Sequence, residues 1–229
     1  MSTIAQNLAN LSQRIQVAAQ QANRNPDDVQ ILAVSKAHSA ERVREAFEAG
    51  LRDFGESYLQ EALPKMEALQ DLPLQWHFIG PIQSNKTKPI AEHFHWVHSV
   101  DRLKIASRLN EQRPPALKPL NICVQVNISV EASKSGILQQ AVEEFAGQLR
   151  ELPRLRLRGL MAIPEKTSDQ QQQRQTFAEL RQMFADLNQH GLALDTLSMG
   201  MTDDLEAAVL EGSTMVRVGT GLFGKRTGK

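Results

Sequence analysis

The chain has 229 residues, 41% of them hydrophobic and 23% charged, which allows one large domain with a sizeable core or two small ones. Lys+Arg and Asp+Glu both number 26, so no net field draws the molecule to nucleic acid or to an anionic membrane. The one cysteine, Cys123, sits in the apolar run NICVQVNI, which excludes an intramolecular disulfide or a CxxC pair and fits a reducing compartment such as the cytoplasm.

The N-terminus, MSTIAQNLANLSQRIQVAAQ, has no basic region ahead of a continuous apolar stretch, so it does not read as a secretory signal. No segment reaches transmembrane length. Ile4, Leu8, Leu11 and Ile15 recur at i, i+4, i+7 and i+11, which predicts an amphipathic helix within residues 1–25 that packs on the main body and closes near Asn23 to Pro26. Beyond Pro26 a short apolar run, a turn and a stretch of helical period follow one another repeatedly. The apolar runs are VQILAVS, LRDFGE, LQWHFIG, FHWVHSV, LNICVQVNI, LRLRGLMAI, LDTLSMG and MVRVGTGLFG. Amphipathic segments such as AERVREAFEAG and DDLEAAVLEG separate them. Eight strands alternating with helices in roughly 200 residues match a small (β/α)8 TIM barrel. An open doubly wound sheet is the alternative, against which stands the lack of GxGxxG after the first strand. No Pro/Gly/Ser-rich linker divides the chain, so residues 1–229 read as a single domain. The run DQQQQRQ reads as the solvated start of a helix whose inner face carries Phe177, Leu180, Phe184 and Leu187, and residues 225–229, KRTGK, as a flexible tail.

In such a barrel the site lies at the C-terminal ends of the strands, and phosphate commonly binds on the loops after strands seven and eight. Strand seven ends in SMGMTDD, where Gly200 allows close backbone approach and Thr202 is placed to cap the next helix. Strand eight ends in RVGTGLFG, with Gly219, Thr220 and Gly221 just past the apolar run. Backbone N–H groups and hydroxyls there form a cup for a phosphate. Asp203, Asp204 and Glu206 would repel that phosphate unless they turn outward, and plain glycine turns with an ordinary cap fit the same residues. Lys36 ends the first strand on the same barrel face. A lysine opposite a phosphate cup suggests Schiff-base chemistry with a sugar phosphate or pyridoxal phosphate; a surface lysine past the strand end is the alternative. In HFHWVH, a strand would put His93 and His95 on one face and His98 on the other, without Cys or carboxylate ligands, so no metal is expected. His77 reads as a hydrogen-bonded core histidine.

The ordered set VSKAHS, FGESYLQE, WHFIGPIQSNK, VNISVEASKSGI, RGLMAI, LSMGMTDDLEAA and GSTMVRVGTGLFG resembles the motifs of the pyridoxal phosphate homeostasis proteins, the YggS-like family, from about Val29 to Gly224. The resemblance implies a single barrel related to the N-terminal domain of alanine racemase, with pyridoxal 5'-phosphate (PLP) held as an aldimine of Lys36. It places the phosphate contacts on Ser198, Gly200, Met201, Thr202, Gly219 and Thr220. It places Arg217 facing the pyridine nitrogen, where a permanent charge keeps that nitrogen unprotonated and weakens the ring as an electron sink. As a residue alone, Arg217 also fits a salt-bridged barrel arginine. The family commonly reads GENY where this chain has GESY, so Ser57 replaces an amide near the cofactor and reaches less far. Lys134 corresponds to a secondary lysine for PLP; as a loop cation it needs no function.

Three functions compete: a PLP-binding homeostasis protein, a PLP-dependent racemase of the alanine racemase type, and a Schiff-base aldolase. Fold does not choose between them. The alanine enzyme takes a tyrosine from a second, β-rich domain that these residues do not supply; the one tyrosine, Tyr58, opens the helix after strand two. Most class I aldolases carry their lysine on a later strand. The resemblance therefore favours a monomeric carrier without efficient catalysis, whose partners are PLP and PLP-dependent apoenzymes. It implies influence on PLP supply and on amino-acid and keto-acid balance.

Overall fold

Each short apolar run becomes a strand: β1 (Gln30–Val34), β2 (Asp53–Glu56), β3 (Gln75–Phe78), β4 (Trp96–Val100), β5 (Leu120–Asn127), β6 (Ile137–Leu138), β7 (Leu155–Ala162), β8 (Thr196–Ser198) and β9 (Met215–Val218). The computed structural model describes residues 3–129 and 135–224. Every pairing is parallel, and the β1–β9 and β4–β5 pairs close the sheet into a barrel. Eight of the strands make the staves, as the runs predict; β6, a two-residue addition beside the end of β5, has no counterpart among them. Lys134 and residues 225–229 lie outside the described residues, and with them the secondary-lysine and flexible-tail expectations.

The helices bury their apolar stripes on the barrel. α1 (Ile4–Gln21) starts in a capping box, Thr3 with Gln6, and buries Ile4, Leu11, Ile15, Ala18 and Ala19. α2 (Ala40–Glu48), α3 (Leu59–Ala68), α4 (Thr87–His93), α5 (Leu103–Gln112) and α6 (Val142–Leu149) follow in turn. α7 (Gln170–Gln189) is capped by Asp169 and buries Phe177, Leu180 and Leu187. α8 (Leu205–Leu210) and the one-turn α9 (Thr220–Phe223) complete the ring. No helix among the described residues is long and apolar enough to cross a membrane.

Most of the core lies between barrel and helices. Trp96, Cys123 and Met161 form a separate buried cluster on the inner face, where strand alternation also directs His77, His98, Ser198 and Arg217. α1 lies across the ends of the last two βα units: Asn7 donates to Leu222 O at 2.8 Å, Arg14 to Thr202 O at 2.8 Å, and Arg24 to Val209 O and Ser213 O at 2.7 and 2.9 Å.

Candidate functional site: a cleft at the barrel mouth

Past Val34 the chain leaves β1 through buried Ser35, half-buried Lys36 and exposed Ala37, whose φ of 62° is left-handed. That conformation costs a residue with a Cβ about 1–2 kcal/mol, so other contacts must hold it. α3 supplies them on both sides of Lys36. Lys65 Nζ donates to Ser35 O at 2.9 Å and to Glu56 Oε1 at 2.5 Å, and Ser35 Oγ donates to the same oxygen at 2.6 Å. Glu61 Oε2 accepts the Ala37 N–H at 2.9 Å. Burial pushes the Glu56 carboxyl above its ordinary value, against the opposing pull of Lys65, and Glu56 Oε2 is buried without a hydrogen-bond partner. His38 stacks on Phe223 of α9 at 4.6 Å between ring centroids, tying this loop to the far side of the mouth.

The opposite side is made of backbone and short side chains. Gly200 has φ 93°, and a Cβ there would lie 2.4 Å from the Ala208 Cβ, so only glycine lets the β8 loop pass α8. Thr202 does not cap α8: the helix begins later, at Leu205, with Asp204 at the cap position. The Thr202 hydroxyl instead accepts the Gly221 N–H at 3.2 Å and joins the β8 and β9 loops. The acidic residues are engaged. Asp204 Oδ1 accepts the Met201 N–H at 2.5 Å, Asp203 pairs with Lys166 at 3.1 Å, and Glu206 turns away to Arg14 at 2.6 Å. Burial raises the Asp204 carboxyl above its ordinary value.

Between these sides lies a cleft of about 420 Å³. It is lined by Lys36, Ser57, Met201, Thr202, Arg217, Gly219 and Thr220, with Ile163, Pro164, Glu165, Lys166 and Thr167 along the remaining wall. Seven residues singled out from the sequence thus meet in one place. Two others do not line it. Gly200 is buried behind the loop, and Ser198 is fully buried with its hydroxyl turned into the barrel, 2.9 Å from both His98 Nδ1 and Arg217 Nη1. The Ser198 side chain therefore does not reach the cup, and the Met201 N–H is already taken by Asp204.

Arg217 is 4% exposed; Nη1 donates to Ser198 O at 2.5 Å and Nη2 to Ala162 O at 2.8 Å. No salt bridge to Arg217 occurs among the described residues, and burial lowers its pKa to about 10, which leaves it charged at neutral pH. Beneath it, His98 Nε2 lies 2.9 Å from His77 Nδ1, and His77 Nε2 lies 3.0 Å from Asp53 Oδ1. Burial pushes both imidazoles below the ordinary histidine value, His98 well below. His77 is the hydrogen-bonded core residue the sequence suggests. His93 ends α4 rather than sharing a strand face, and the His95 Nδ1 accepts the Trp76 N–H at 3.0 Å. No group of three metal-binding side chains occurs among the described residues.

Glu56, Glu61 and Lys65 were not legible as site residues. The available signal was Lys65 on the buried stripe of α3, three residues after Ala62 and four before Leu69. A lysine on such a stripe requires a buried partner.

Residues 6–227 match the family described as alanine racemase, N-terminal domain. A Pseudomonas aeruginosa protein named pyridoxal phosphate homeostasis protein is 64% identical over 226 residues, covering 99% of this chain and 97% of its own. The chain belongs to the pyridoxal phosphate homeostasis protein family. An Escherichia coli member is 51% identical over 229 residues, covering 99% of this chain and 98% of its own. Among solved structures, PipY of Synechococcus elongatus with PLP bound is 39% identical, with a TM-score of 0.80, covering 93% of this chain and all of that one. Alanine racemase from Corynebacterium glutamicum superposes with a TM-score of 0.67 at 17% identity; this chain spans 62% of it, and the likeness is one of fold.

Proposed function

We propose that this chain binds PLP in the barrel-mouth cleft, covalently through Lys36, and acts as a carrier that keeps free PLP low and supplies it to dependent apoenzymes. The observation that carries the reading is the meeting of Lys36, Arg217, Thr202 and Thr220 around one cleft. A primary amine, a guanidinium and hydroxyl groups match the aldehyde, ring nitrogen and phosphate of PLP, and 420 Å³ suits a ligand of that size. The names of the relatives and the PLP bound to PipY support it.

When bound, PLP supplies an aldehyde that condenses with an amine, releasing water, and an aromatic ring that draws electrons. Lys36 supplies the amine. Thr202 and Thr220 offer hydroxyls to the phosphate at the start of α9. Ser57 offers one hydroxyl from the β2 side. Arg217, a donor that stays protonated, holds the ring nitrogen as an acceptor and so limits the ring's capacity to stabilise a carbanion. That setting suits storage and transfer in the cytoplasm, by a monomer, with effects on amino-acid and keto-acid balance following from PLP supply.

The test is an absorbance titration of the protein and of Lys36→Ala with PLP and with pyridoxal. The unmodified protein is expected to develop a visible-region band with PLP, Lys36→Ala to lack it, and pyridoxal to bind at least tenfold more weakly, as the loss of hydrogen bonds to a charged group requires. An unchanged band in Lys36→Ala, or equal binding of pyridoxal, would overturn the site. Amino-acid α-proton exchange in deuterated water at about 1 per second or faster would overturn the carrier reading.

A further inference from the structure

We propose that Ser198 and His98 are positioning residues that fix the Arg217 guanidinium at the cofactor, as the last links of a one-directional hydrogen-bonded chain from Asp53 across the barrel interior. The proposal rests on the reading that Arg217 meets the ring nitrogen of PLP. The chain is continuous: Asp53 Oδ1 to His77 Nε2 at 3.0 Å, His77 Nδ1 to His98 Nε2 at 2.9 Å, His98 Nδ1 to Ser198 Oγ at 2.9 Å, and Ser198 Oγ to Arg217 Nη1 at 2.9 Å.

Its direction is set from both ends. A guanidinium has donors and no acceptor, and an ionised carboxylate has acceptors and no donor. Arg217 therefore donates to Ser198 Oγ, whose proton goes to His98 Nδ1. His98 Nε2–H donates to His77 Nδ1, and His77 Nε2–H donates to Asp53. Full burial favours the uncharged form of both imidazoles, and with both neutral each link uses one donor and one acceptor only if both are Nε2–H tautomers. Their depressed basicity agrees with that state. The Ser198 hydroxyl has no rotational freedom left once its proton and its lone pair are both assigned.

Such a chain is not what a barrel interior needs for stability. His77, His98 and Ser198 are fully buried beside the apolar Trp96, Cys123 and Met161, and buried polar groups are seldom more stabilising than apolar ones of the same volume. Its cleft end is Arg217, and its other end is Asp53, whose side chain is 16% exposed. What the chain provides is one orientation of a guanidinium whose other hydrogen-bond partners among the described residues are the two carbonyls of Ser198 and Ala162.

The test has two arms. In the first, 15N NMR of the PLP-loaded protein at pH 7 reads the histidine tautomers, with His98→Leu assigning the signals. Nε2–H tautomers at both His77 and His98 are expected; an Nδ1–H tautomer or an imidazolium at either would overturn the chain. In the second, bound-PLP absorption and affinity are compared in Arg217→Gln, Ser198→Ala and Ser198→Thr. Ser198→Ala is expected to shift the absorption maximum in the direction of Arg217→Gln and to weaken PLP about tenfold, and Ser198→Thr, which keeps the hydroxyl, to retain the maximum. If Arg217→Gln shifts the spectrum and Ser198→Ala does not, the positioning role fails. If Arg217→Gln itself has no effect, the ring-nitrogen reading fails with it. Should Ser198→Ala not fold, the tautomer arm still decides the chain.

Discussion

One side of the cleft is held by charge and the other by backbone. Around Lys36, the side chains of Glu56 from β2 and of Glu61 and Lys65 from α3 grip the chain, and two of them are buried. Around Thr202 and Thr220, the chain is shaped by glycines at close approach and latched from outside by Arg14 and Asn7 of α1. A reactive amine on a flexible side chain gains from a fixed backbone anchor, and charged groups in a dry layer provide a stiff one. A phosphate is met by N–H groups and hydroxyls, so its loops follow a close path and turn their carboxylates onto the protein's own N–H groups and cations. The first side should therefore respond to protonation and the second to volume.

The volume side should give the largest effect. Gly200→Ala combines a backbone cost of about 1–3 kcal/mol with an overpacking cost of about 1–3 kcal/mol against Ala208, about 4 kcal/mol together. For a chain of this length that lowers Tm by about 8–16 °C in a thermal melt. Adding Ala208→Gly should return only the packing part, because the φ of 93° stays. Full recovery would show that the path of the loop is not fixed by its dihedral.

On the charged side, Lys65→Met should cost about 3 kcal/mol at pH 7, because it leaves the Glu56 carboxylate buried without a cation; Glu56→Gln in addition should restore most of the loss. The pH dependence has a definite sign. Glu56 titrates above its ordinary 4.5 in the folded chain, so it favours folding below the unfolded value and loses that contribution as pH rises through the folded one. The deficit of Lys65→Met should therefore shrink as denaturant melts are moved from pH 7 toward pH 5. An equal deficit at both would mean that Glu56 does not carry the charge.

Smallest is the outer latch. The Arg14–Glu206 pair has side chains 34% and 39% exposed, so solvent screening limits Arg14→Ala to about 1 kcal/mol or less. Because Arg14 also holds Thr202 O, PLP affinity in an equilibrium titration should fall by a few-fold while Tm falls by no more than about 2–4 °C.

The barrel was legible because each strand is a short apolar run between turn residues, a pattern that depends on local chemistry alone. Lys36 and the Thr202 and Thr220 loops were legible because strand ends in a barrel converge whatever lies between them, whereas Arg217, inside β9, was legible only through the family resemblance. Thr202 fits a cap by residue type, but α8 begins only at Leu205, with Asp204 at the cap position and its carboxylate turned back onto the Met201 N–H. The direction of the Ser198 hydroxyl depends on His98, 100 residues away, and no local pattern carries a contact of that separation. Lys65 left a trace in helical spacing, but its partner Glu56 follows only from knowing which face of β2 meets α3.

The most direct measurement is borohydride reduction of the PLP-loaded protein followed by peptide mapping. The pyridoxyl label is expected on Lys36, with the visible-region band lost in proportion to labelling. Label recovered on Lys134 or Lys166 with Lys36 unmodified would contradict the covalent role given to Lys36.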